Sequence, residues 1–518
     1  MKTKSYKNII ILLSAIVILT GCKRGFLDVP PQGSLTRIQA LIDPAAADKL
    51  VAGAYNTLYL QGTVGLKLVI LGDVTSDDSD KGSVESDPGF DGVFVDNFTH
   101  NSNTGIFNDV WREYYSSIGR INEALGVLEA GTYDETVKKR LIAEVRFLRG
   151  YYYFNLVRIF GGVPKIIKVI PPAEQNNPEN QTRATAEEIY AQIVEDLTYG
   201  VDNLPEKESP VISTGRATKG AAQGLLSKVY LYQQNWQGAY DMSLAVISSN
   251  KYDLATDYAK VFRENAASKE EGGVNNVESI FEVQTGPNRA TDGSCNAISK
   301  NYSNFQAPRG SFPNQTVNGQ LWNGGDLGFG LNTPSANLAA AYEPDDARRA
   351  ATIIFTSNSP TVLWDGFTIP AKPDVVSDRY NYKAYHSPFA ESLSCNGLLT
   401  DKDNRPKNIR LIRYAEVLLI NAEAATHVGG DALTPLTEVR ARAGLGTTPA
   451  TVANIWKERR VELAMEADRF FDLVRTGQAA TVMQAAGKPF VAGKHELFPI
   501  PQIQIDFSNG LLKQNPNY

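Results

Sequence analysis

The residues best suited to chemistry in this chain are aromatic rings interleaved with polar side chains. Trp322 stands between Leu321 and Asn323-Gly324-Gly325, and Arg379-Tyr380-Asn381-Tyr382 alternates guanidinium, ring, amide and ring. Tyr302 and Phe305 lie among Asn301, Ser303 and Asn304. A flat ring covers an apolar ligand face while a neighbouring Arg, Asn, Asp or Gln bonds to hydroxyls, so the chemistry indicated is non-covalent capture. Trp322 and Tyr380 rank first, because burial poorly explains a large ring flanked by polar loop residues. A second candidate is the acidic stretch Asp73-Val74-Thr75-Ser76-Asp77-Asp78-Ser79-Asp80, continuing to Asp87-Pro88-Gly89-Phe90-Asp91. There Asp77 or Asp78 would accept hydroxyl protons and Phe90 would stack. Closely spaced carboxylates also hold calcium, but the closing Glu is missing at its proper step. The stretch therefore reads as a solvated loop, and no cofactor is expected.

Signatures of catalysis are missing. There is no Gly-x-Ser-x-Gly elbow, no His-Glu-x-x-His and no phosphate loop, and Gly325 to Gly330 lacks dinucleotide spacing. Four histidines and three cysteines are too scattered for the common metal spacings, so no metal site is expected. Glu458, Arg459, Arg460, Glu462 and Glu466 look like a catalytic cluster, but charges along one helix face read as a solvated or ion-paired surface.

Composition narrows the class further. The chain has 518 residues, 42% hydrophobic and 21% charged, close to the averages for folded, water-facing domains. Lys and Arg number 51 against 57 Asp and Glu, with no basic block in the body, which excludes nucleic acid as an expected partner.

The start of the chain carries an address. Lys2, Lys4 and Lys7 precede an apolar run from Ile9 to Leu19 that only Ser14 interrupts, the pattern of a secretory signal and too short to span a bilayer. It ends Leu19-Thr20-Gly21-Cys22, which resembles the lipobox of bacterial lipoproteins. Residues 1–21 are thus read as a signal peptide, and 22–40 as lipidated Cys22 with an extended tether through Pro30-Pro31-Gln32-Gly33. Membrane contact is then through lipid alone. Export places Cys295 and Cys395, each in a Ser/Gly/Asn-rich loop, in an oxidising setting, which suggests one disulfide; two buried free thiols are the alternative.

Helices must position these loops. Leu141, Val145, Leu148, Tyr152, Leu156 and Ile159 recur at helical steps, with Asp134 as N-cap and Gly161-Gly162 before Pro164 as a stop. Similar periodicity covers 105–130 and 186–204. A pair from Ala217 to Gln233 and from Trp236 to Ser248, joined by a short turn, resembles a tetratricopeptide hairpin. Residues from about 251 to 405 turn rich in Gly, Asn, Ser, Pro and aromatics. Helices are predicted again over Ile409–His427, Leu433–Ala443 and Thr451–Thr476, followed by an extended tail at Leu497-Phe498-Pro499-Ile500-Pro501. The reading is mainly α: a helical-hairpin scaffold with a large loop-rich lobe containing a few short strands.

Six segments in one order resemble the SusD/RagB family of surface glycan-binding lipoproteins. They are the lipobox with Phe26-Leu27-Asp28; Ala143 to Phe154 with Phe160-Gly161-Gly162-Val163-Pro164; Pro334 through Asp346 to Arg348; Ile412 to Leu419; Glu458 to Leu463 with Arg469 to Leu473; and Leu497 to Pro501 with Gln514-Asn515-Pro516. Lys23-Arg24 departs from the acidic run often found after the lipidated cysteine. The resemblance implies four tetratricopeptide-like helix pairs supporting a variable lobe, in one SusD-like domain over 41–518, with scaffold at about 41–250 and 406–518 and lobe at about 251–405. It also implies an outer-membrane, cell-surface protein that captures oligosaccharides as the lid of a SusC-like TonB-dependent transporter, without catalysis, the helical side meeting the transporter. A sugar's C–H faces and hydroxyls match the rings and polar groups above. The ligand-binding set is then Trp322, Tyr380, Arg379, Tyr382, Tyr302, Phe90 and Asp78. Two other functions fit the composition: a surface glycoside hydrolase, needing two carboxyls about 5 to 9 Å apart, and a peptide-binding adaptor using the groove of the hairpins.

Overall fold

The computed structural model describes residues 36–211, 213–286, 297–391, 394–395 and 397–518. Cys22 and Cys295 lie outside them; Cys395 is a disulfide-bonded cysteine.

Local signals start and stop the helices. Asp43 caps α1 (Pro44–Tyr55) by accepting from the Ala45 N–H, with proline at the first helical position. After α2 (Gly105–Glu129), Asp134 accepts from the Thr136 and Val137 N–H groups to open α3 (Glu135–Phe160), and Gly161 at φ +73° closes it. From Leu141 onward α3 is buried on nearly every side, the mark of a helix inside the scaffold rather than on its surface. It packs on α1, α2 and α4 (Ala186–Asn203), the last opened by a Thr185/Glu188 capping box. Next come α5 (Lys219–Tyr232) and α6 (Trp236–Ser248), each capped by the residue before it, Thr218 and Asn235. Each helix packs on the next from α2 to α6, and α6 then packs on α7 (Tyr414–Val428), far away in sequence. The array closes with α8 (Leu433–Arg442) and α9 (Val452–Glu462), both against α7. It is a stack of helical hairpins with the lobe inserted between α6 and α7.

Among the described residues the strands pair off in five antiparallel two-stranded sheets. Two of them tie distant segments together: β1 (Ser79–Gly82) to β5 (Leu331–Pro334), and β2 (Ser279–Val283) to β10 (Ile409–Arg413). The others, β3 (Gln315–Val317) with β4 (Gln320–Trp322), β6 (Ile353–Phe355) with β9 (Arg379–Asn381), and β7 (Thr361–Val362) with β8 (Thr368–Ile369), build the lobe. A continuous core fills the helical array, while the lobe has its own, around Trp322, Phe367, Tyr380 and Tyr385.

Two helix predictions need correction. The segment expected as one helix from Ile409 begins as β10, because Ile409 and Ile412 pair across to Val283 and Phe281; the helix starts only at Tyr414. The helix expected over Thr451–Thr476 is two: α9 ends at Glu462 and α10 (Arg469–Arg475) follows a break in which Met465 and Ala467 take φ of +64° and +66°. Such conformations cost non-glycine residues about 1 to 3 kcal/mol each. Tertiary contacts offset that cost. The Ala467 N–H donates to Asp73 Oδ1 at 3.0 Å, and Glu466 swings round to Arg413 and Lys383. Gly72 permits the approach, since a Cβ there would lie 2.0 Å from the Ala467 carbonyl oxygen.

Candidate functional site

The charged C-terminal helix is not a surface. Glu458, Arg459 and Glu462 are buried, where sequence reasoning expected a solvated or ion-paired face. Arg348 Nη1 lies 2.6 Å from Glu458 and 3.0 Å from Glu462, while its Nη2 lies 2.8 Å from Asp346. Glu462 also takes Arg413 at 3.0 Å and Arg442 at 2.6 Å. Burial alone would raise the Glu462 carboxyl, but Arg442, Arg413 and Arg348 outweigh it and hold it far below the usual carboxylate range. Asp468 behaves likewise: burial is overcome by Lys228 and by Arg158, the latter 2.8 Å away. These pairs join α3, α5, α9, β10 and the lobe, which is structural work.

The first part of the acidic stretch is likewise not solvated. Residues Asp73 to Ser79 are all buried. Asp77 and Asp78 are held by Arg460 at 2.8 and 2.7 Å, and Arg469 lies 2.8 Å from Asp77. Burial lifts Asp73 to about 8, against the opposing hydrogen bond from Asn332. Asp78 is therefore an internal ion-pair partner and not a ligand contact. Among the described residues no group of three or more His, Cys, Asp or Glu side chains could hold a metal.

Most of the expected rings also lie inside. Trp322 and Tyr380 are fully buried. The Trp322 Nε1–H donates to the Gly325 carbonyl at 2.8 Å and the ring sits edge-on to Phe367. Tyr380 Oη donates to the Arg309 carbonyl at 3.1 Å and accepts from the Ser377 N–H at 2.9 Å. With their polar tips satisfied internally, both rings serve as lobe core, which corrects their placement on a binding surface. Arg379 is half-buried and donates to the Pro334 carbonyl at 2.8 Å. Tyr382 is covered by the Arg263 guanidinium, 4.3 Å above its ring. Tyr302 is half-buried and lines a separate internal cavity of about 80 Å³.

Phe90 is placed differently. It is 45% exposed and lines a pocket of about 480 Å³ with Phe329, which is 38% exposed, and the buried Phe305. Phe305 is the buttress: the Phe90 ring meets it edge-on at 4.9 Å between centroids, and Phe329 is tilted against it at 5.4 Å. Backbone geometry sets each ring. Gly89, Phe90 and Asp91 are consecutively left-handed, at φ +56°, +55° and +65°, which turns the Phe90 side chain outward. Asp87 fixes this turn by accepting from the Gly89 N–H, and Asp91 accepts from the Ile106 N–H at the start of α2. On the opposite wall the Phe329 N–H donates to the Asn304 carbonyl at 2.8 Å. Gly328 makes that approach feasible, because a Cβ there would stand 1.8 Å from the same oxygen.

Polar groups surround the rings. Lys67 Nζ is held by Asp109 at 2.9 Å and Glu113 at 3.2 Å, and Asp87 pairs with Arg309 at 3.1 Å. Arg309 in turn is positioned through its carbonyl by buried Tyr380, so a residue expected to touch ligand instead braces the pocket wall from behind. Chemically, the pocket offers two accessible ring surfaces and several carboxylate acceptors. Sequence reasoning named Phe90 and Phe305 among the residues that line this pocket, and did not name Phe329, Lys67 or Asp109. For Phe329 no local signal sufficed, since Phe305, also set among polar residues, is buried.

The hairpin stack carries an inserted lobe, and the ring-lined pocket lies where the two meet. Residues 26–231 match the family model described as "Starch-binding associating with outer membrane", and residues 278–518 match that of the SusD family. The chain belongs to the SusD/RagB family. SusD-like protein P2 of Formosa agariphila is 25% identical over 543 residues, covering 99% of this chain and all of that protein. A solved laminarin-binding SusD-like protein is 29% identical, with a TM-score of 0.75 over 92% of this chain and 99% of the other. Surface glycan-binding protein A from Bacteroides thetaiotaomicron, solved with laminarihexaose, is 25% identical with a TM-score of 0.75, over 92% of this chain and all of that one. Among the described residues no helix is long and apolar enough to cross a membrane.

Proposed function

We propose that this protein is a non-catalytic glycan-binding lipoprotein that captures oligosaccharides on Phe90 and Phe329 and delivers them to a SusC-like TonB-dependent transporter of the outer membrane. The observation that carries this reading is the pocket itself, two half-exposed phenylalanines braced by a buried third and edged with carboxylates. Two half-exposed rings gathered on a buried third form an apolar surface, and sugar C–H faces beside hydroxyl-accepting carboxylates suit that arrangement. Relatives described as binding laminarin and laminarihexaose support the same class of ligand. Acylated Cys22 would hold the protein at the cell surface through a tether shorter than expected, since a helix over Arg37–Ile42 begins within the segment 22–40, and the rest of the chain would act as one domain. A Cys295–Cys395 disulfide would staple the lobe, in keeping with the bonded sulfur of Cys395.

The test is calorimetry and affinity electrophoresis of the full chain in detergent against a panel of neutral polysaccharides and their oligosaccharides. Binding that is lost when Phe90→Ala and Phe329→Ala are combined supports the reading; binding that survives both refutes the site. Release of shortened products from any polysaccharide would make the protein a hydrolase instead. Co-purification with the transporter tests the partner.

A further inference from the structure

We infer that the Phe90–Phe305–Phe329 pocket selects neutral glycans and rejects those bearing uronate or sulfate groups. This inference rests on the reading of that pocket as the glycan site. Its basis is the charge lining the pocket. Among the described residues, Lys67 is the one cation that lines it, against Asp87, Asp91 and Asp109. Lys67 is not free to receive an anion, because Asp109 and Glu113 both hold its ammonium group, on a side chain only 12% exposed.

The flanking groups leave this balance unchanged. Arg309 pairs with Asp87 and also donates to Ser83 Oγ at 2.7 Å. Arg112, 4.0 Å from Asp109, opens onto a different groove beside Tyr115 and Phe507. Lys81, behind the Phe90 turn, spends its ammonium on the Val84 and Asp87 carbonyls. A bound hydroxyl finds acceptors here. A bound carboxylate or sulfate meets the lining carboxylates of Asp87, Asp91 and Asp109, and the one lining cation, Lys67, is already paired, which costs like-charge repulsion and desolvation together.

The experiment compares matched ligands on the full chain. Laminarihexaose, maltohexaose and mannohexaose are each titrated beside the same hexasaccharide with its C6 alcohols oxidised to carboxylates. At about 0.01 M salt, where the screening length is about 30 Å, the oxidised form should bind at least about tenfold more weakly than its neutral parent. At about 1 M salt, where that length falls to about 3 Å, the gap should narrow. Asp87→Asn, which releases Arg309, and Asp109→Asn, on a side chain 40% exposed, should each narrow it at low salt. Equal or tighter binding of the oxidised form would overturn charge selection while leaving the pocket in place. If no member of the panel binds, or the Phe90→Ala/Phe329→Ala double variant binds unchanged, the pocket assignment fails and this inference falls with it.

Discussion

Two clusters of aromatic rings, one in the lobe core and one where the lobe meets the hairpin stack, have opposite fates. In the lobe core, Trp322, Tyr380 and Tyr385 are buried, and each gives its polar atom to an internal acceptor: the Gly325 carbonyl, the Arg309 carbonyl and Asp365. In the pocket the rings are phenylalanines, with no polar atom to satisfy, and two of the three stay partly in water. Polar neighbours in the sequence therefore do not mark a ring as exposed. A Tyr or Trp whose hydroxyl or N–H finds a partner is ordinary core. A Phe held outward by left-handed backbone and braced by another ring is the arrangement that burial does not explain.

Four substitutions would break or sharpen this contrast. Trp322→Ala should have the largest effect, removing a fully buried ring and destabilising the fold by about 3 to 5 kcal/mol in thermal or denaturant unfolding, with glycan affinity per folded molecule preserved. Unchanged stability with lost binding would return Trp322 to the binding surface. Next, Asp468→Asn leaves Arg158 buried without its anion and Lys228 with Glu416 alone, so a loss of about 3 kcal/mol is expected at neutral pH. Asp468 and Glu462 are held low in the folded chain and titrate near 4 when unfolded, so their stabilisation is present above about pH 4 and lost as pH falls below it. The wild-type melting temperature should drop steeply on acidification below that point, and less steeply in the Asp468→Asn variant.

Smaller effects are expected nearer the pocket. Tyr380→Phe keeps the ring but leaves the Ser377 N–H and Arg309 carbonyl short of a partner, costing about 1 to 2 kcal/mol of stability with a slight weakening of binding through the pocket wall. Phe90→Ala should hardly move the melting temperature, since the ring is half-exposed, yet should weaken glycan binding about tenfold, the worth of about 1.4 kcal/mol. If it instead unfolds the chain while sparing affinity, the pocket rings are core like the others.

Much of the architecture was readable from the chain alone. Asp134 before α3 and Gly161 after it bound a helix whose apolar spacing is unmistakable, because helix caps and periodicity depend on residues within a turn or two of one another. The break between α9 and α10 was not readable. Nothing local stops a helix at Leu463, and the reason for stopping is Asp73 and Arg413, both remote in sequence. The burial of Glu462 and Asp78 was hidden for the same reason, since the arginines that make it tolerable come from other elements.

The sequence by itself determined the helical hairpins, the loop-rich character of the lobe and the presence of Phe90 in a turn of Gly and Asp. Only the tertiary structure decided which rings meet solvent. Exposure is set by segments brought together from far apart: β1 against β5, Gly328 against Asn304, Phe90 against Phe305. The energy of burying a ring depends on the partners that surround it in space, and those partners are fixed only when the chain has folded.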